Sequence, residues 1–202
     1  MHTEPAPIDI DIDIARSPAD IEGILALQRR NLRTGLSAEA QAEAGFVFAE
    51  HTAELLQTMA AKAPQAVARS AGRVVGYSLA MTPEMQDFLP SLRPMFEQFE
   101  RITWRGRALS DRPYVVGGQV CVDASMRGRG LIQRLYAKTR DSVPAGIELC
   151  LTEIAERNTV SLRAHARIGF VEVGRYRAEG EDWVVVAWPW RERAGAQEPP
   201  GS

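Results

Sequence analysis

The residues best suited to chemistry in this sequence begin at a glycine-rich turn. Arg127-Gly128-Arg129-Gly130 follows a β-rich run with Val115, Val116, Val120 and Val122, and precedes Leu131, Ile132, Leu135 and Tyr136 at helical spacing. A turn that opens a helix in this way leaves backbone N–H groups without intrahelical partners, and its glycines let another group come close. Such a nest suits phosphate or pyrophosphate, and Arg127 and Arg129 add charge of the right sign. The same residues also make an ordinary tight turn with two solvated arginines, so the turn by itself leaves both readings open. Two nucleotide motifs fail on their residues. A Walker A loop needs Gly-Lys-Ser/Thr where this chain has Gly130-Leu131-Ile132, and the dinucleotide fingerprint needs a third glycine where Gln133 stands.

Further along, Asn158, Ser161 and His165 are spaced by three and four, which puts them on one face of a helix. The two cysteines, Cys121 and Cys150, each lie in an apolar β-like run and are expected as buried, reduced thiols. His2, His51 and His165 form no ligand spacing, so no metal site is expected. With 24 basic and 26 acidic residues among 202, the formal charge is −2. That balance gives no electrostatic case for nucleic acid or an anionic membrane as partner. The acidic start lacks a basic and apolar leader, and no apolar run reaches membrane-spanning length, so a cytoplasmic protein is expected. A hydrophobic share of 45% supports one sizeable core. The expectation is a single domain over 1–190 and a disordered polar tail over 191–202.

The elements that must position these residues follow from pattern and punctuation. Alternating Ile and Asp over Ile8–Ile14 predict a strand, and Ser17-Pro18-Ala19-Asp20 opens a helix to about Asn31. A short helix is expected after Ser37 and another over His51–Lys62, ended by Pro64. Ala66–Ser70 and Arg73–Met81 flank Ala71-Gly72 as a hairpin. Thr82–Pro113 holds four prolines and reads as an insertion with a helix over Ser91–Ile102. After the helix that follows the turn, which ends before Pro144, come a strand over Gly146–Ile154, a helix over Asn158–Arg167 and strands over Phe170–Tyr176 and Asp182–Trp188.

At this combination of residues the chain resembles the GNAT superfamily of N-acetyltransferases. The family signature Arg/Gln-x-x-Gly-x-Gly/Ala falls on Arg127, Gly130 and Ile132, and Ile132 departs from it. The resemblance implies an α/β fold of the α+β type: three layers, a mixed but mostly antiparallel sheet of about seven strands with flanking helices, splayed between strands 4 and 5. It implies acetyl-CoA as co-substrate, contacted by Val120, Cys121 and Val122, by Arg127, Gly128, Arg129, Gly130, Leu131 and Ile132, and by Asn158 and Ser161. His165 stands where the family usually has the tyrosine that protonates the departing thiolate. Glu153 stands where a subset of the family has a catalytic glutamate. A base is needed because only the neutral amine attacks a thioester. Glu97, Glu100, Asp111 and Tyr114, leading into the fourth strand, are further candidates.

The expected function is direct transfer of an acetyl group to a primary amine of a small molecule or peptide. A ping-pong route through Cys121 ranks low, since that thiol has no sequence-local activator. One rival is an inactive acyl-CoA-binding sensor or assembly module, suggested by Ile132 and His165; another is a protein using the turn for a different nucleotide. Acceptor specificity is expected from the first helices, the insertion and the last hairpin, and a homodimer is the commonest symmetric assembly.

Overall fold

The computed structural model describes residues 9–191. Seven strands form one sheet: β1 (Asp11–Ile14), β2 (Ala66–Ser70), β3 (Arg73–Met81), β4 (Tyr114–Val122), β5 (Leu149–Ala155), β6 (Val171–Ala178) and β7 (Glu181–Pro189). Their order is β1-β2-β3-β4-β5-β7-β6, and every neighbouring pair is antiparallel except β4 and β5. The expected three-layer, mostly antiparallel architecture is thus present. The parallel pair matches only at Tyr114–Val116 against Leu149–Leu151; beyond that point β4 stays with β3 while β5 stays with β7. The sheet therefore opens into a V between β4 and β5, as expected.

One face of the sheet is covered by α1 (Pro18–Asn31), α3 (Ala53–Lys62) and α4 (Arg93–Arg101). Ile24, Leu27, Leu56, Met59, Met95, Phe96 and Phe99 pack there on Tyr77, Leu79, Val116, Leu151 and Val185. The other face carries α5 (Leu131–Ser142) and α6 (Thr159–Ile168). There Leu131, Leu135 and Tyr136 meet Val75, Val115, Cys150 and Ile154. Both cysteines are buried free thiols.

Helix starts follow their caps. Ser17 and Asp20 form a capping box ahead of α1, and Pro18 occupies its first turn. Thr52 accepts the Leu55 N–H and fixes the start of α3 at Ala53, so His51 lies outside the helix expected to contain it. β1 is shorter than Ile8–Ile14; Ile8 and all but one residue of the expected tail lie outside the described residues. The insertion contains α4, three short 3-10 turns and a small ribbon pairing Thr103–Trp104 with Arg107–Ala108.

Between α2 (Ala38–Ala44) and α3 the chain forms a strap, residues 45–51, across the open side of the V. Val47 is bridged to the end of α1, its N–H donating to Asn31 O at 2.9 Å and its carbonyl accepting from Arg33 N at 3.0 Å. The amide of Asn158 donates to Phe46 O at 2.9 Å, and that of Gln119 donates to Ala49 O at 2.9 Å. One strap thus touches both arms of the split sheet.

Candidate active site

Two clefts meet at the split. The larger, about 620 Å³, runs along the α5–α6 face, and the smaller, about 140 Å³, lies on the α1–α4 face. Phe46, Val47, Val120, Asn158 and Ser161 line both, so the two spaces join beneath the strap.

The larger cleft is built on the end of β4 and the start of α5. Asp123 N donates to Val75 O of β3 at 2.9 Å, and alternate residues of a strand present their N–H groups to the same edge. Cys121 therefore faces β3 as well, and the N–H groups of Val120 and Val122 face the edge that β5 has left. Gly128 and Gly130 have φ of 75° and 69°, the left-handed region that side chains resist, and a Cβ on either would stand in open space. Gly130 caps α5 without any side-chain hydrogen bond, so the first N–H groups of the helix remain available to an anion.

Of the residues expected to hold the cofactor, Val120, Cys121, Val122, Arg127, Gly128, Gly130, Leu131, Ile132, Asn158 and Ser161 line this cleft. Arg129 is exposed and does not line it. Arg163 and Arg167, one and two turns along α6, do line it, and sequence reasoning missed them. Their spacing of four puts them on one stripe of α6, beside Val160 and Ala164 and turned away from His165, a signal that could have found them. Asn158 has a structural task too, since its carbonyl oxygen accepts from Ser161 N at 3.3 Å and caps α6 while its amide holds the strap. Burial pushes the Cys121 thiol up to about 12, which argues against a thiolate nucleophile.

His165 lines the smaller cleft rather than the cofactor cleft, and its polar atoms are committed to protein partners. It is 3% exposed, with Nδ1 2.8 Å from Ser161 O and Nε2 3.0 Å from the Tyr136 hydroxyl. A carbonyl only accepts, so Nδ1 carries the ring proton and Nε2 accepts from Tyr136. Burial lowers its pKa to about 4. The neutral ring has its one proton committed to a helix carbonyl, and it packs edge-on against Tyr136 and Phe170. It has no proton to offer a leaving group in this geometry.

The smaller cleft holds Glu153. Its carboxylate accepts a hydrogen bond from the Tyr176 hydroxyl, and burial raises its pKa from the ordinary 4.5 to about 7. Met81, Leu92, Met95, Phe48 and Trp183 supply apolar wall, and His51 lines the same space. The other candidates do not: Glu97, Glu100 and Asp111 are exposed, and Tyr114 is buried against Phe99. Among the described residues no cluster of three or more His, Cys, Asp or Glu could hold a metal ion, and no helix is long and apolar enough to cross a membrane.

No protein-family model and no curated protein matches the sequence. Solved structures do. The ribosomal-protein-S18-alanine N-acetyltransferase from Escherichia coli superposes with a TM-score of 0.58 at 12% identity, covering 94% of this chain and 99% of that one. The NatC complex bound to Gag peptide and CoA gives 0.60 at 12% identity, over 91% and 100%. A GNAT-family acetyltransferase from Streptococcus agalactiae 2603 gives 0.58 at 17% identity, over 91% and 96%. With the split sheet, the uncapped glycine turn and the joined clefts already in place, these likenesses make the architecture that of the GNAT acetyltransferases.

Proposed function

We propose that the protein transfers an acetyl group from acetyl-CoA directly to the nitrogen of a primary amine on a small molecule or peptide. The observation that carries this is the passage through the split sheet, with an anion-binding turn on one side and a carboxylate of near-neutral pKa on the other. The turn and the start of α5 take the pyrophosphate, with Arg127 beside them. The N–H groups of Val120 and Val122 hold the pantetheine arm and polarise the thioester carbonyl. The structural relative bound to CoA and peptide supports a cleft of this kind accepting both partners.

On the far side Glu153 takes a proton from the incoming ammonium. A base with pKa about 7 is ionised often enough to act and still basic enough to accept the proton. The freed nitrogen attacks the thioester carbon, the C–S bond breaks, and the nitrogen sheds a second proton as the amide forms. That proton balances the thiolate. Ser161, which lines both clefts, stands where it can be passed across, so no resident acid is required.

The second reading, an acyl-CoA-binding protein without turnover, is favoured by one observation: the His165 imidazole lines the Glu153 cleft, yet both of its nitrogens are committed to protein partners. A titration of thermal midpoint with acetyl-CoA, free coenzyme A and ATP tests the cofactor assignment, because a ligand bound only by the folded chain must raise the midpoint. A rise with acetyl-CoA and none with ATP supports both readings, and thiol release in the presence of an amine panel then separates them. No rise with any coenzyme A species at millimolar concentration would end both.

A further inference from the structure

On the α1–α4 face a saturated network of amides orients one buried ring. The backbone N–H of His51 donates to Gln28 Oε1 at 2.8 Å, which fixes the orientation of the Gln28 amide. Gln28 Nε2 must then be a donor, and it serves two acceptors, Gln119 Oε1 at 2.8 Å and His51 Nδ1 at 2.6 Å. The orientation of Gln119 is fixed independently, because its Nε2 donates to the carbonyl of Ala49. Its oxygen also accepts from the Tyr77 hydroxyl at 2.6 Å. Since Nδ1 of His51 accepts, the proton of the neutral ring is on Nε2.

Every other polar group of this network has a partner within it, whereas Nε2 bonds nothing among the described residues. The residue is 9% exposed and lines the Glu153 cleft. Burial lowers the pKa of the ring to about 4, so it stays a neutral donor at physiological pH. Packing alone would not require the tautomer of a buried ring to be set from three separate elements, α1, β3 and β4.

We propose that His51 is an acceptor-positioning residue: its Nε2–H donates to an oxygen that the acceptor carries close to its reacting amine, such as the carbonyl of an α-amino amide. The assignment rests on the proposed acetyl transfer and names the chemistry of its acceptor. The amine lies towards Glu153, the oxygen towards His51, and any apolar substituent towards Met81, Leu92 and Met95. An amine without such an oxygen leaves a desolvated N–H unpaired and is selected against.

Two measurements on the full chain test this. In long-range ¹⁵N spectra of the wild type, the His51 ring, identified by its loss in His51→Asn, is expected as the Nε2–H form with no titration between pH 5.5 and 8. Addition of phenylalaninamide should shift Nε2, and phenethylamine, which lacks the carbonyl, should not. In turnover, phenylalaninamide should be preferred over phenethylamine by about tenfold. His51→Asn keeps an acceptor for Gln28, but its amide N–H falls short of the position of Nε2, so it should erase the preference through KM, with acetyl-CoA binding unchanged. His51→Gln, which can present an N–H further out, should restore part of it. An Nδ1–H ring, or no response of Nε2 to either probe, would overturn the role of His51 while leaving an acetyl-CoA thermal shift intact. A preference that survives in His51→Asn would do the same. Absence of that thermal shift would instead count against the acetyl transfer itself.

Discussion

His51 and His165 are both buried, both neutral, both held at pKa values near 4 and both at the wall of the smaller cleft, yet they come from opposite layers of the fold and face opposite ways chemically. His165 has its proton on Nδ1, tied to Ser161 O within its own helix, and its other nitrogen receives Tyr136. Both valences are used within the α5–α6 layer. His51 has its lone pair on Nδ1, occupied by Gln28, and its proton on Nε2, and the residue lines the cleft. Burial sets the charge state of both rings, but the neighbours decide which nitrogen is left to do chemistry. The resemblance points to His165, but of the two rings lining this cleft it is His51 that keeps an N–H without a protein partner among the described residues.

The largest test of that contrast is Glu153→Gln. Losing the base should lower kcat/KM by about a hundredfold or more while acetyl-CoA affinity holds, as read by steady-state kinetics beside thermal-shift titration. In the wild type the rate should climb as pH rises through about 7, and the variant should lose that limb. Stability moves the other way. The folded pKa is raised from 4.5 to about 7, so the fold favours the protonated carboxyl, and its contribution, full below pH 4.5, is lost as pH rises to 7. The variant should therefore gain in midpoint relative to the wild type between pH 5 and 7.5. A flat difference across that range would mean that Glu153 is an ordinary carboxylate.

His165→Phe should do the opposite: little change in turnover and a clear loss of stability. It leaves the Tyr136 hydroxyl without its partner in the core, which costs about 1–3 kcal/mol for an unmet buried group. Adding Tyr136→Phe should recover part of that loss, a coupling that denaturant unfolding of the two single variants and the double variant would measure. A drop in kcat of a hundredfold with unchanged stability would restore the acid role to His165. The acid limb of unfolding also belongs to the rings. Each has a folded pKa below its ordinary 6.5, so each contributes stability above that value and loses it as pH falls through about 4. In His165→Phe that limb should become shallower.

The sequence carried the sheet, the split and most of the cofactor side, because those depend on local signals. Valine runs mark β4, paired glycines mark the turn, and a spacing of three and four marks one face of α6. The acceptor side was less legible. His51 seemed to open a helix, and only the side chain of Thr52 moves the boundary to Ala53. Its partner Gln28 is 23 residues away and Gln119 is 91 residues from Gln28, separations that no local period reveals. The partners of His165 were equally hidden, since a helix period places residues on one side without saying what their polar atoms bond. Glu153 showed as a strand-end acid, but its near-neutral pKa arises from the packing around β5 and Tyr176.

The smallest effect separates two arginines that the sequence treats alike. Arg127 lines the cleft, and its guanidinium donates to Asn31 Oδ1 at 3.3 Å, which directs it across the turn towards α1. Arg129 sits between two glycines of positive φ and is turned to solvent. Since screening in water leaves an exposed charge little influence beyond about 8–10 Å, only the arginine that meets the ligand should matter much. Arg127→Ala is expected to weaken acetyl-CoA binding by about three- to tenfold by calorimetry, and Arg129→Ala by less than about twofold. Raising the salt concentration should shrink the difference between Arg129→Ala and wild type to nothing and leave most of the Arg127 effect in place. Equal losses for the two variants would mean that the turn binds its ligand by overall positive charge, and the distinction between a built cofactor cleft and a solvated basic turn would fall with it.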